Sequence, residues 1–477
     1  MNPRPRAAAA GTWLACVAFI AQAAQAALPP KIQAIIDGHR IPSGGVSIVV
    51  QAVDEDAPRL ALNADTPRNP ASAVKLVTTW TALDMLGPNH TWRTRVYALG
   101  PIEGGVLKGD LLIKGYGDPY LVLEDFWKLV GDIRRKGIRD IEGDLLLDDS
   151  LFEIDGDSPG AFDGEAYRLY NVLPSALMVN FKSFDFVFHP HPTTNTLTIE
   201  ANPSLPNLKI TNRVKLVSGP CRGNAIRLIM DVADTKTADH VIFSGRLPFA
   251  CRNYKLSRSI MTPAAYAYGT FRMLWQQWGG SLQGGYGKSV APQGARPLFT
   301  WRSRPLGEII RPLNKWSNNV MTRLLLYTIG ETSNNPPITR ADGAAALIAH
   351  LAKRGLDTSS LVIDNGSGLS RNTRVSARFM VSLLDLAWHS PTMPEYIASF
   401  SIPGKDGTMR RRFRGRAESG QMHLKTGRLD DVVAIAGYVY ARSGTMFMVC
   451  MIANHRNAHR GPGRELQEAV LSWTYRQ

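Results

Sequence analysis

Ser72-Ala73-Val74-Lys75-Leu76-Val77-Thr78-Thr79-Trp80-Thr81-Ala82-Leu83-Asp84-Met85-Leu86-Gly87-Pro88 is the stretch from which the rest of the chain can be read. Apolar residues at Ala73, Leu76, Val77, Trp80 and Leu83 follow one face of an α-helix, and Gly87-Pro88 stops it. Asn69-Pro70-Ala71 is a turn-like lead-in, so Ser72 opens the helix and Lys75 lies above it on the same side of the first turn. Helix amides and the helix dipole there favour an oxygen that becomes negative. A serine hydroxyl at its ordinary pKa is a poor nucleophile and needs a base. Lys75 can be that base only when neutral, which requires burial or a nearby cation. An isolated Ser-x-x-Lys is more often an N-cap followed by a solvated lysine, so other residues must support the chemical reading.

Two further motifs do so. Lys425-Thr426-Gly427 occurs once in the chain, as does Ser-x-x-Lys. Val432 to Val439 and Met446 to Ile452 follow it as two apolar runs around Ser443-Gly444, the pattern of a hairpin inside a covered sheet. Lys425 would stand at the start of the first strand and supply the cation that lowers Lys75. Thr426 could offer a hydroxyl to a substrate carboxylate, and the backbone after Gly427 an amide to an oxyanion. The third motif, Ser-x-N, is present at Ser317–Asn319, Ser333–Asn335 and Ser370–Asn372. Ser317 precedes the helical face Val320, Met321, Leu324 and Leu325, whereas Ser333 runs into Pro336-Pro337 and reads as a loop. Ser317 and Asn319 are therefore the expected pair.

In this order the motifs resemble those of the class C low-molecular-mass penicillin-binding proteins, D-alanyl-D-alanine carboxypeptidases that also act as endopeptidases. Ser72 and Ser317 are 245 positions apart, far more than the small helical domain that simple serine β-lactamases fit there. The resemblance continues through Gly109-Asp110-Leu111, Gly117-Asp118-Pro119, Gly143-Asp144-Leu145, Asp148-Asp149-Ser150 and Pro174-Ser175-Ala176, and through DNGSGLSR (364–371) and Asp406-Gly407-Thr408. It implies an α+β fold: a penicillin-binding/β-lactamase-like transpeptidase domain, an antiparallel sheet flanked by helices, split by a long β-rich insertion. The function implied is removal of the terminal D-alanine from peptidoglycan stem peptides and cleavage of their D-alanyl cross-links. It would proceed through a Ser72 acyl-enzyme and be inhibited by β-lactams, with no cofactor. Ser72, Lys75, Ser317, Asn319 and Lys425 are the implied catalytic set; Ser317 would relay a proton and Asn319 hold a substrate amide. Thr426, Gly427, Arg428 and Arg371 are the expected substrate-binding residues. Arg428 stands where the family usually has a small threonine or serine. Two other readings use the same motifs: a serine β-lactamase or esterase, and a non-catalytic β-lactam sensor or wall-binding protein.

The chain has 477 residues, 44% hydrophobic and 20% charged, with a formal charge of +15. That length suggests two or three domains. The basic balance suits an anionic polymer or membrane surface, but no basic run interleaved with aromatics points to nucleic acid. Arg410-Arg411-Arg412 with Arg414 and Arg416 is the one local cluster, read mainly as a solvated loop. Arg4 and Arg6 precede an apolar stretch from Ala7 to Ala21 and a small-x-small site at Ala24-Gln25-Ala26. This predicts a signal peptide over 1–26 and a periplasmic protein with at most peripheral membrane contact.

After Cys16 leaves with the leader, Cys221 and Cys251 are the candidate disulfide, both in the strand-rich insertion, and Cys450 reads as a buried thiol. The ten histidines form no metal-binding spacing. The expected organisation is a split catalytic domain, 27–93 plus 296–477. Residues 94–295 would be inserted as two nested subdomains, with strands interrupted by one helix (263–278) and a return linker over 284–297.

Overall fold

The sheet that carries Lys425 has five strands, each antiparallel to the next. Their order is Met422–Leu429, Val432–Tyr440, Met446–Asn454, Val46–Ala52 and Leu60–Leu62. The computed structural model describes residues 28–477 except Asp155 and Thr235, so the expected signal peptide lies outside the described residues. Strands 432–440 and 446–454 are buried along nearly their whole length. Helices Pro30–Gly38 and Pro462–Tyr475 cover one face through Ile32, Ile36, Leu466 and Val470. Helices Lys75–Leu86 and Ala377–Trp388 cover the other through Val77, Trp80, Met380 and Leu384. A strand covered on both faces has no solvent side to mark with polar residues, which explains the unbroken apolar runs.

The sequence reading placed Lys425 at the start of a two-stranded hairpin. Instead, Lys-Thr-Gly lies within a third strand, Met422–Leu429, at the sheet edge. His423 and Thr426 are partly exposed and Arg428 is exposed, and this mixture hid the strand from an apolar-run criterion.

A separate hydrophobic core draws its residues only from Val96 to Trp301. Its largest sheet has the order Tyr286–Lys288, Leu145–Asp148, Asp110–Gly115, Arg93–Leu99 and Phe299–Arg302. The expected linker over 284–297 therefore contains a strand. Pairing of Phe299–Arg302 with Arg93–Val96 carries the inserted sheet past residue 295. A second helix, Leu123–Arg135, also escaped the sequence reading. Its signals were present: acidic Glu124 and Asp125 in the first turn, and basic Arg134 and Arg135 in the last, complement the helix dipole. Cys221 and Cys251 are bonded, with Cα atoms 4.8 Å apart, and Cys450 is a buried free thiol.

The two cores meet where Phe152, Val172 and Met178 pack on Val320, Leu324 and Tyr327. This contact lays the inserted segment around Tyr170 against the helix Asn319–Glu331.

Candidate active site

Ser72 sits in a 3-10 turn, Ala71–Val74, and the α-helix begins only at Lys75. The turn is shaped by polar groups upstream. Ala71, at φ 45°, donates its amide to Asn69 Oδ1 at 2.9 Å. The Asn69 backbone is clasped by Asn454 on the central sheet, through N–H to Oδ1 at 2.8 Å and Nδ2 to O at 2.9 Å. Two glycines let other segments close on the turn. A Cβ at Gly427 would stand 2.3 Å from Pro70 O, and one at Gly368, where φ is +79°, would stand 2.0 Å from Ala71 O.

Lys75 is wholly buried. Its Nζ lies 3.1 Å from Ser72 Oγ, donates to Asn319 Oδ1 at 2.7 Å, and donates also to the Ser367 carbonyl. Burial, and then the positive charges of Lys425 and Arg323, hold its pKa well below the usual lysine range. A neutral amine in this place has two hydrogens for Asn319 and Ser367, and its lone pair is left for the Ser72 hydroxyl.

Lys425 is buried on the other side of the cleft. It donates to Ser317 Oγ at 2.8 Å and to Thr426 O at 2.9 Å, and burial draws its pKa down to about 7. Ser317 occupies a left-handed position, φ 58°, between helices Leu306–Trp316 and Asn319–Glu331. Asn318 caps the second helix by accepting from Met321 N at 3.1 Å. Asn319 Nδ2 donates to Tyr170 O at 2.9 Å, so the inserted segment fixes the amide whose oxygen faces Lys75. Thr426 Oγ1 donates to Thr408 Oγ1 at 2.9 Å.

Ser72, Lys75, Ser317, Asn319, Lys425, Thr426 and Gly427 thus converge. Of the other Ser-x-N copies, Ser333 follows a helix end and is exposed, while the Ser370 carbonyl accepts from Asn69 Nδ2 at 2.8 Å and braces the turn. Arg371 and Arg428 occupy the rim. Arg371 Nη1 donates to Asp430 O at 3.4 Å, and its guanidinium lies over the Phe162 ring, 4.7 Å from the centroid. Arg428 is exposed and forms no ion pair among the described residues; the neighbouring Asp430 and Asp431 face His459. The arginine cluster is not one solvated patch. Arg412 is nearly buried against Glu468 and Gln467, Arg416 binds Glu418, and Arg410 lies over the exposed Trp316.

Sequence reasoning missed the carbonyls of Ser367 and Tyr170, the Thr408 hydroxyl, and the buried Arg323. Gly366 and Gly368 in DNGSGLSR were the available signal for the first: alternate glycines mark a backbone that must pass close to something.

A serine beside a buried, depressed lysine, on an antiparallel sheet flanked by helices, defines a serine acyl-transfer enzyme of the penicillin-binding/β-lactamase fold. The chain belongs to the D-Ala-D-Ala carboxypeptidase 3 (S13) family, whose profile matches residues 28–477. It is a serine-type D-Ala-D-Ala carboxypeptidase. It is 31% identical over 418 residues to the D-alanyl-D-alanine carboxypeptidase of Actinomadura sp. (strain R39), a match covering 84% of this chain and 76% of that one. Penicillin binding protein 4 (dacB) of Haemophilus influenzae shares the fold with a TM-score of 0.79 at 22% identity, covering 94% of this chain and 99% of its own. The penicillin G-acylated predatory endopeptidase Bd3459 of Bdellovibrio bacteriovorus aligns with a TM-score of 0.52 at 16% identity, over 90% of this chain and 91% of its own.

Proposed function

We propose that the enzyme is exported to the periplasm, where Ser72 removes the terminal D-alanine of peptidoglycan stem peptides and opens D-alanyl cross-links. The same serine is acylated by β-lactams. The observation that carries this reading is the position of Lys75 Nζ, 3.1 Å from Ser72 Oγ and 2.7 Å from Asn319 Oδ1 in a fully buried setting. Lys75 takes the proton as Ser72 Oγ attacks the carbonyl between the two D-residues. The oxyanion is held by the backbone N–H groups of Ser72 and Arg428. The proton taken by Lys75 reaches the departing amine by way of the Ser317 hydroxyl, which is hydrogen-bonded to Lys425 and gives one proton as it receives another. Lys75 is then neutral again, and water releases the acyl group by the reverse path. Lys425 and Thr426 draw the free carboxylate of the substrate to the cleft; Arg428 and Arg371 act on the donor peptide from the rim.

The predatory endopeptidase and its penicillin G adduct support the endopeptidase and β-lactam parts of this reading. Arg4, Arg6 and the apolar leader support export, and among the described residues no helix is long and apolar enough to cross a membrane. We read 27–93 and the chain after Arg302 as one split catalytic unit, with the intervening residues supporting and bordering the cleft.

A labelled penicillin combined with mass spectrometry of a cross-linked muropeptide tests the whole. The expected result is a stable Ser72 adduct together with release of D-alanine and cleavage of the cross-link. Rapid turnover of the drug would instead identify a β-lactamase, and stable acylation without peptide cleavage a sensor. Ser72→Ala should abolish labelling and D-alanine release; covalent label retained by that variant would remove Ser72 from its assigned role. Lys75→Ala should leave binding intact while slowing acylation by about 10²–10⁴-fold.

A further inference from the structure

A cavity of about 690 Å³ opens inside the inserted region, away from Ser72. Small-molecule sites typically measure roughly 300–1,000 Å³ and combine apolar walls with a few placed polar groups. Phe152, Leu173 and Ile260 supply apolar wall here, while Lys182, Ser259 and Lys288 supply the polar groups. The segment that carries Tyr170 and Val172 separates the cavity from the catalytic cleft: the Tyr170 carbonyl accepts from Asn319 and the Val172 carbonyl from Arg323, while Tyr167 and Val172 line the cavity.

Among the described residues, two groups in this cavity lack the partners their chemistry calls for. Lys182 Nζ donates to Met261 O at 2.6 Å and has no carboxylate partner among the described residues. Burial alone lowers its pKa, to about 8, so near neutral pH most of it still carries a positive charge that no carboxylate among the described residues neutralises. Ser259 is 5% exposed, and its hydroxyl has no hydrogen-bond partner among the described residues. Buried polar groups are normally satisfied, and such exceptions call for a cause.

The backbone that delivers Lys182 is also unusual. Asn180, Phe181 and Lys182 adopt φ values of 46°, 54° and 51°, three successive left-handed non-glycine residues. Such a run persists only where its surroundings over-determine it, and these segments gather at ligand sites. Tyr266 provides the brace: its hydroxyl accepts from Asn180 Nδ2 at 2.9 Å and donates to Ser183 O at 2.8 Å.

We propose that this cavity is a second ligand site, taking a small molecule that carries one carboxylate on an apolar body. The carboxylate pairs with Lys182 and accepts from Ser259, and the body fills the apolar walls. A single negative charge fits better than a phosphate dianion, because Lys288 is already neutralised by Asp149 at 2.8 Å and that carboxylate would repel a second charge. Lipid-like and peptide-like acids share this chemistry, and a choice of probes tells them apart.

The test is calorimetric titration of the full chain with octanoate and with N-benzoyl-D-alanine, each beside its neutral amide. At least one acid should bind, about tenfold or more tighter than its amide, the size of a lost charge-assisted hydrogen bond. Lys182→Met should weaken that acid by a similar factor and Ser259→Ala by less, while Thr426→Ala, which alters the catalytic cleft, should leave it unchanged. Preference for octanoate assigns a lipid-like source, and preference for N-benzoyl-D-alanine a peptide-like one. The proposal is overturned if neither acid binds, if the amides bind as well as the acids, if Lys182→Met binds like the parent, or if Thr426→Ala abolishes binding. Should Lys182→Met fail to fold, the comparison of acid with amide on the unaltered chain still decides.

Discussion

Lys75 and Asn319 stand 244 positions apart in the chain, yet the lysine Nζ lies 2.7 Å from the asparagine Oδ1. Asn319 cannot turn away from this contact, because its Nδ2 is committed to the Tyr170 carbonyl at 2.9 Å. The proposed base is thus oriented by a side chain that the inserted region holds in place. Asn319→Ala should therefore slow acylation by β-lactams and by peptide about 10²-fold or more, within the range for losing a positioned proton-transfer partner, and should lower stability by about 1–3 kcal/mol because its buried partners are left unpaired. Ser317→Ala should also be damaging and Ser333→Ala silent. Acylation kinetics of the three variants check this, and a damaging Ser333→Ala with a silent Ser317→Ala would reverse the assignment.

The pH profile should have two limbs of different origin. Lys75 must be neutral to accept the Ser72 proton, so kcat/KM rises with pH through its depressed pKa. In the proposed mechanism Lys425 acts as a cation, and burial draws its pKa down to about 7. As pH rises through that value the free enzyme loses the charge that attracts the substrate carboxylate, and kcat/KM falls. A bound carboxylate favours the charged lysine, so the alkaline limb should move to higher pH in kcat than in kcat/KM. Lys425→Arg cannot deprotonate in this range. If that variant keeps any activity, its alkaline limb should be gone; an unchanged limb would assign the titration to another group.

Gly427 and Gly368 let two distant segments touch the Ser72 turn. An alanine at either meets backbone oxygen at 2.3 Å or 2.0 Å, and neither oxygen can swing aside as a side-chain end would. Each substitution should destabilise by about 1–3 kcal/mol, as overpacking does, with Gly368→Ala worse because its φ is +79°. Gly44→Ala, where a Cβ meets nothing within 4 Å, is the control and should shift stability by less than about 0.5 kcal/mol. Urea denaturation measures all three.

At the rim, Arg428 has no ion-pair partner to lose among the described residues, since Asp430 and Asp431 face His459, and its proposed contribution to the oxyanion hole is a backbone amide. Arg428→Thr should keep the enzyme active and mainly change its preference among penicillins and peptide donors with different free carboxylates. A fall of about a hundredfold on every substrate would place its side chain in the catalytic machinery.

Arg371 offers a sharper contrast, since it is exposed and rests on Phe162 and the Asp430 carbonyl. Arg371→Ala should impair cleavage of cross-linked peptide more than acylation by penicillin. Equal loss of both would mean that it supports the rim structurally.

The residue pattern alone determined the features that depend on near neighbours. The helix after Ser72, the apolar strands on either side of Ser443-Gly444, and the i, i+3 relation of Ser72 to Lys75 follow from spacing that the 3.6-residue helix and the pleated strand impose locally. Side chains with distinctive chemistry were legible too, because Ser-x-x-Lys and Lys-Thr-Gly each occur once. Tertiary structure decided what sequence distance conceals. The carbonyls of Ser367 and Tyr170, 292 residues from Lys75 and 149 from Asn319, carry no residue-type signature, since every peptide unit has one. The edge strand Met422–Leu429 mixes buried and exposed positions, because one part of it faces the core and another the cleft. The depressed state of Lys75 is likewise a property of its surroundings: a lysine becomes a base only where the folded chain has removed water and brought Lys425 and Arg323 near it.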